Sequence, residues 1–197
     1  MSAAARGAGR GARPLPQQVR IVGGSLRRST LPVLDRPGLR PTPQRVRETL
    51  FNWLGQDLAG WVCLDAFAGT GALGFEAASR GATSVVLLER DPALVAQLRE
   101  VKTRLKAPAV RIERADAVSW MRAAKNCYHL VLLDPPFDDP TLLDAALEAA
   151  THLVADDGFI YVEAPTPLIR WPPGFALWRQ DRAGAVCFHL LRRKGSG

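Results

Sequence analysis

Cysteine is scarce: Cys63, Cys127 and Cys187 are odd in number, far apart, and form no C-x-x-C pair. A disulfide framework and a structural zinc site are thereby excluded, and a reducing, cytoplasmic compartment is expected. No stretch approaches the roughly 18 consecutive apolar residues of a membrane span. The first thirteen residues, Ala, Gly, Ser and Arg after Met1, lack the apolar core of a signal peptide. No internal repeat is visible, and low complexity is confined to those thirteen residues. Acidic residues are nearly absent from the first quarter: residues 1–47 carry ten arginines against Asp35 alone, whereas 48–197 hold 16 basic and 18 acidic residues. The formal +7 therefore sits in the N-terminal arm. Such asymmetry is the footprint of a polyanionic partner, and arginine suits bidentate phosphate contacts. A solubilising disordered tail is the alternative for residues 1–18. At 197 residues, 47% hydrophobic and 23% charged, the rest reads as one soluble globular domain with appendages.

From Val19 to Leu31, apolar residues flank Gly23-Gly24, which predicts a small β-hairpin with Arg20, Arg27 and Arg28 pointing outward. A helix follows, with Thr42 as N-cap and Pro43 at its first position. Val46, Leu50, Trp53 and Leu54 form its apolar face and Gly55 its stop, leaving Arg45, Glu48 and Asn52 to face a cleft or solvent. From Trp61 short β-branched runs alternate with helical stretches, the pattern of an α/β sheet with parallel strands. Strands are expected near 62–67, 84–89, 110–115, 128–133 and 159–163, and helices over 72–80, 92–106, 117–124 and 140–153. Residues 174–193 read as an antiparallel hairpin turning at Arg182-Ala183-Gly184. The expected division is a basic tail at 1–18, a hairpin-and-helix extension at 19–55, the main domain at 56–194 and a short tail at 195–197.

In an open α/β sheet, ligands bind outside the carboxyl ends of the strands. The first strand ends in Leu64-Asp65-Ala66-Phe67-Ala68-Gly69-Thr70-Gly71-Ala72-Leu73-Gly74, a glycine-rich turn opening a helix. Gly69, Gly71 and Gly74, with Glu89 twenty residues after Gly69, satisfy the dinucleotide fingerprint, so a nicotinamide enzyme is a competitor. Against it, Asp65 would repel a pyrophosphate and welcome a cation or zwitterion. Glu89 could accept hydrogens from both hydroxyls of a ribose; a surface acid after a core strand is the plainer alternative. Asp116, after the third strand, could recognise an adenine amino group or cap the next helix.

The fourth strand ends in Asp134-Pro135-Pro136-Phe137. Two prolines fix the backbone and remove two N–H donors, so the turn offers carbonyl oxygens and a carboxylate without competing donors. Phe137 adds an apolar plate suited to a base taken out of its helix. The combination points to transfer onto an exocyclic amine. His129, His152 and His189 pair with nothing by spacing and read as structural, so neither a metal site nor a catalytic triad is expected.

These residues resemble the class I S-adenosylmethionine-dependent methyltransferases, and within them the bacterial 16S ribosomal RNA guanine-N2 methyltransferases of the RsmD type. Three segments between about Arg20 and Arg192 carry the resemblance: Arg40-Pro41-Thr42 with Arg45 to Asn52, the glycine loop, and the Asp-Pro-Pro-Phe turn. The last two recur in many amino-methyltransferases; the Arg-Pro-Thr helix is narrower. The resemblance implies a Rossmann-like, mostly parallel seven-stranded sheet with a C-terminal antiparallel hairpin and a basic RNA-holding extension. It implies S-adenosylmethionine contacts at Asp65, Phe67, Gly69, Gly71, Glu89, Asp116 and Thr42, and catalytic roles at Asp134, Pro135 and Phe137. Arg20, Arg27, Arg28, Arg40 and Arg45 would meet RNA. The expected enzyme is a monomer acting on 16S ribosomal RNA, free or within an assembling small subunit, without a metal or a membrane, and releasing S-adenosylhomocysteine. An adenine-N6 methyltransferase of DNA or RNA is the alternative, because the turn serves any exocyclic amine; a non-catalytic RNA-binding module is a further one.

Overall fold

The computed structural model describes residues 17–36 and 38–195. Most of the expected basic tail, Pro37 and the last two residues lie outside that range. Seven strands form the central sheet: β3 (Val62–Asp65), β4 (Ser84–Glu89), β5 (Val110–Arg114), β6 (Tyr128–Leu133), β7 (Val154–Ala164), β8 (Phe175–Ala183) and β9 (Val186–Arg193), in the order β5-β4-β3-β6-β7-β9-β8. The first five in that order are mutually parallel; β9 runs antiparallel to both β7 and β8, as the C-terminal hairpin requires. Helices α2 (Ala72–Ser79), α3 (Pro92–Leu105), α4 (Ala117–Ala123) and α5 (Pro140–Ala150) connect the parallel strands. Both sheet faces are covered, one by a cluster around Phe75, Leu87, Leu132 and Tyr161, the other by one around Leu64, Val131, Leu147 and Ile160. This double burial is why the strands read as near-continuous apolar runs. The chain winds outward from β3 to β5, then returns to β6 on the other side, so the switch point opens a cleft at the carboxyl ends of β3 and β6.

Several boundaries shift for local reasons. The first strand stops at Asp65 because Ala66 donates to the Leu132 carbonyl (3.0 Å) and Ala68 to that of Leu88 (2.9 Å), bending the chain across its neighbours. The helix expected over 140–153 ends at Ala150 and closes in a single 3-10 turn, and β7 starts earlier than expected, at Val154. Asp91 caps α3, accepting from Ala93 at 2.7 Å, with Pro92 in the first turn as expected.

The N-terminal hairpin pairs β1 (Gln18–Arg20) with β2 (Thr30–Pro32), but its turn is not a tight Gly23-Gly24 turn. Residues 21–29 form a longer loop laid on the end of α2, where Ser25 donates to the Ser79 carbonyl at 2.7 Å. Gly24 has φ of 72°, and a Cβ there would stand 1.8 Å from that same carbonyl oxygen, so the glycine serves close approach. Helix α1 (Gln44–Trp53) follows, with Pro43 rather than Thr42 at the N-cap and no side-chain cap. Thr42 is not the cap because its hydroxyl is engaged elsewhere, in the cleft.

The extension and the sheet share one core. Val19, Ile21, Leu31, Val46, Leu50 and Phe51 are buried in the same cluster as Phe75, Tyr161 and Phe188. A buried ionic network fastens the joint. Glu76, within α2 and fully buried, accepts from the backbone N–H groups of Val22 (2.8 Å) and Gly23 (2.7 Å). It also pairs with Arg47 of α1 at 3.1 Å and with Arg80 at 2.9 Å. Arg47 reaches further, to the Arg20 carbonyl at 2.8 Å, and Arg80 lies over the Phe51 ring and donates to Gln56.

Candidate active site

The cleft is built on the loop after β3. Gly69 and Gly71 take positive φ, 51° and 78°, which opens α2 in a left-handed turn that a larger residue would strain. Gly74 is required for another reason: its Cβ would meet Leu87 at 2.7 Å and the Asp65 carboxylate at 3.0 Å. Asp65 is buried beneath the loop, not displayed on it, and accepts from Gly74 N–H at 3.0 Å and from the Phe67 backbone. Glu89, ending β4, accepts from Gly69 N–H at 2.9 Å and from the N–H groups of Arg90 and Asp91 at 2.8 Å. These bonds fix the Glu89 carboxylate at the mouth of the loop while leaving it half-exposed. Asp116 stands apart on the surface, where it caps α4 through Ser119 N–H at 2.9 Å. Hydrogen bonds from the Ser119 hydroxyl and then its backbone N–H hold the Asp116 pKa below the usual carboxylate value. Phe67 is half-buried against the second apolar cluster.

Asp134 follows β6, and the Thr42 hydroxyl donates to its Oδ2 at 3.3 Å, joining the Arg-Pro-Thr segment to the Asp-Pro-Pro-Phe turn across 92 residues. Pro135 is buried and Phe137 half-buried beside it. A third carboxyl group, Glu163 near the end of β7, was not singled out from the sequence. It lies 2% exposed and accepts from the Tyr161 hydroxyl at 2.9 Å. Its signal was there to read: an acid within the apolar run Ile160-Tyr161-Val162-Glu163-Ala164, at a strand's carboxyl end.

Asp65, Asp134 and Glu163 thus converge at the ends of β3, β6 and β7. None is in an ion pair among the described residues. Burial, then the negative charge of Glu163 and Asp65, pushes the Asp134 pKa well above the usual carboxylate range. Burial likewise raises Glu163, and lifts Asp65 to about 7. A carboxyl group raised on folding favours the folded state while it is neutral, so its stabilising contribution is whole below about pH 4, its unfolded value. For Asp65 that contribution is lost as pH rises through about 7. Melting temperature of the ligand-free protein is therefore expected to fall between about pH 4 and 7 and to level off above that, and Asp65→Asn to flatten the slope. Thermal melts across that window test it; an unchanged slope in the variant would place the titration elsewhere.

The five arginines assigned to RNA, Arg20, Arg27, Arg28, Arg40 and Arg45, are all exposed. Arg47, counted in the basic arm, is instead buried against Glu76, and Arg36 pairs with Asp91 at 3.4 Å. Arg40 and Arg45 flank Thr42 beside the cleft. Arg27 borders a polar groove between the 22–27 loop and the Glu48, Asn52 and Gln56 side of α1. The ten residues of α1 span about 15 Å, so the two basic regions sit at opposite ends of that helix.

Residues 19–192 match the family described as Conserved hypothetical protein 95. The chain is 42% identical over 183 residues to ribosomal RNA small subunit methyltransferase D of Escherichia coli K12, covering 91% of this chain and 92% of that protein. It is 38% identical over 182 residues to the protein of the same name from Haemophilus influenzae, covering 89% and 94%. The solved structure of a candidate methyltransferase from Escherichia coli aligns with a TM-score of 0.81 at 41% identity, over 91% of this chain and 99% of that one.

Proposed function

The chain belongs to the family of the ribosomal RNA small subunit methyltransferase D proteins, and from that membership we propose that it transfers a methyl group from S-adenosylmethionine to the exocyclic N2 amine of a guanine in 16S ribosomal RNA. The observation that carries the reading is the Asp134-Pro135-Pro136-Phe137 turn, placed at the switch point and tied by Thr42 to the basic N-terminal extension. Two buried carboxyl groups, Asp65 and Glu163, and the half-buried Asp134, none paired with a cation among the described residues, suit a ligand with a sulfonium and an ammonium, and they disfavour the pyrophosphate of a nicotinamide dinucleotide. In this reading Glu89 receives the ribose hydroxyls, Gly69 and Gly71 let the ligand approach the backbone, and Phe67 and Asp116 meet the adenine end.

Bound S-adenosylmethionine supplies a methyl carbon made electrophilic by the sulfonium. The chain must supply a nucleophile, and guanine N2 is a poor one because its lone pair is delocalised into the ring. Asp134 and the Pro135 carbonyl accept hydrogens from the amine, which favours a pyramidal nitrogen and draws density back onto it. Asp134 steadies the positive charge that develops there, and Phe137 holds the flipped base in line. No other general base is required before attack, since the proton becomes acidic only once the nitrogen is methylated. S-adenosylhomocysteine and the methylated RNA then leave.

The test is methylation, with labelled S-adenosylmethionine, of ribosomal RNA and of small-subunit particles from cells lacking this protein, followed by nucleoside mass analysis. N2-methylguanosine is expected. N6-methyladenosine would transfer the reading to an adenine enzyme, and the preference between RNA and particle would place the reaction in assembly.

Exposed arginines act through phosphate contacts, so affinity falls with salt at a log–log slope of about −0.7 per phosphate on single-stranded RNA. Replacing Arg20, Arg27 and Arg45 by alanine is expected to reduce the slope by about 2. Point substitution is the suitable probe because deleting the extension would strip Val19, Ile21, Leu31 and Val46 from the core. An unchanged slope in RNA-binding titrations would remove these arginines from the interface.

A further inference from the structure

Glu163 has no part in the chemistry above, yet it is a carboxylate buried beside Asp134. It sits opposite Phe188 of β9, on the sheet face covered by α1. A carboxylate so placed is unfavourable unless neighbouring groups require it there. Tyr161 on its own strand donates to Oε1 at 2.9 Å, Asp134 follows Leu133 of β6, which pairs with Val162 next to Glu163, and Asp65 lies beyond on β3. From the α1 side come Arg47, committed to Glu76, and the Thr42 hydroxyl. That hydroxyl contacts both Glu163 and Asp134 and has one hydrogen to give. Burial raises the pKa of both groups, but the Thr42 and Tyr161 hydroxyls and the nearby Arg47 charge all favour the anion on Glu163, whereas Asp134 has, among the described residues, the Thr42 hydroxyl alone.

We propose that Glu163 is a positioning residue for methyl transfer, an anion fixed beside Asp134 across the Thr42 hydroxyl that fits Asp134 to take up the proton released by the methylated amine. When the N2 nitrogen has bonded to the methyl carbon it carries one hydrogen too many. The N–H bond breaks, its electron pair returns to nitrogen, and the proton bonds to an Asp134 oxygen. A lone exposed carboxylate would hold that proton weakly; one facing a fixed negative charge holds it well, and gives it to water when the product leaves. The inference rests on the reading of Asp134 as the group that receives the amine.

The electrostatic sign fixes the test. Removing the Glu163 charge makes Asp134 easier to ionise, so the acid limb of the kcat/KM profile of Glu163→Gln is expected to move to lower pH by about one unit. Above the acid limb, where Asp134 is ionised in both proteins, kcat should fall a few-fold, because the proton acceptor is weaker. Thr42→Val removes a hydrogen bond that stabilises the Asp134 anion, so its limb moves the opposite way, and Thr42→Ser brings it back. Carboxyl-carbon NMR titration of the ligand-free wild-type and Glu163→Gln proteins, both first shown to melt cooperatively, reads the Asp134 shift without RNA. If wild-type enzyme methylates RNA but limb and titration superimpose in Glu163→Gln, Glu163 is structural and the proposal falls. If Asp134 titration moves as stated while wild-type enzyme methylates nothing, the pairing stands and the functional reading fails.

Discussion

Asp134→Ala is expected to lower kcat by about 10²–10³-fold or more, the usual cost of removing one preorganised group that faces developing charge, while S-adenosylmethionine affinity stays within a few-fold. The split follows from position. Asp134 stands after β6 on the far side of the switch point from the glycine loop, and among the described residues its one side-chain hydrogen bond is to Thr42. Its removal therefore leaves the bonds that set the loop, Asp65 to Gly74 and Glu89 to Gly69, in place. It also relieves repulsion among three clustered carboxyl groups, so the variant should melt no lower than wild type near neutral pH. Asp134→Asn keeps the hydrogen-bond acceptor and loses the charge, and is expected to fall between the two. Isothermal titration with the cofactor beside single-turnover methylation makes the test; loss of cofactor binding in the alanine variant would make Asp134 a structural residue.

Glu76→Ala is expected to destabilise the protein by about 3–5 kcal/mol, because it leaves two buried guanidinium groups without their counter-charge. For a chain of this size that corresponds to a fall in melting temperature on the order of 10 °C. Two backbone N–H groups, of Val22 and Gly23, lose their acceptor as well. The attribution to unpaired charge has its own control: replacing Glu76, Arg47 and Arg80 together by apolar residues of similar volume should recover most of the loss. Denaturant titration decides it. If the single variant unfolds with the wild-type midpoint, the network is ornamental and the joint is held by the apolar core alone.

The sheet was legible because burial on both faces imposes apolar runs, and because prolines and acids punctuate them: Asp91-Pro92 marked a helix start that the structure keeps. The glycine loop and the Asp-Pro-Pro-Phe turn were legible because such residues are poorly suited to a plain strand-to-helix connection. What escaped notice depends on pairing across long separations. Glu76 looks like an ordinary helix residue and Arg47 like one more basic residue of the arm; only the fold, which brings them together across 29 residues, shows that they neutralise each other. Thr42 had every local mark of an N-cap, and its hydroxyl is instead claimed by a carboxylate 92 residues away. Glu163 was hidden by its neighbours, because its strand reads as core and no turn residue drew attention to its end. Local propensity decides where elements begin; the chemistry at their ends is settled by which strands become neighbours.

The shared core also dictates an order of events during synthesis. Trp53 of α1 stacks on Phe188 of β9 at 5.2 Å, joining the first helix made to the last strand made. That stacking cannot form until β9 has been made, so α1 completes its packing only once the antiparallel edge of the sheet is in place. Contacts of such sequence separation slow folding. The helix proposed to hold ribosomal RNA thus takes its final seat from a strand far along the chain.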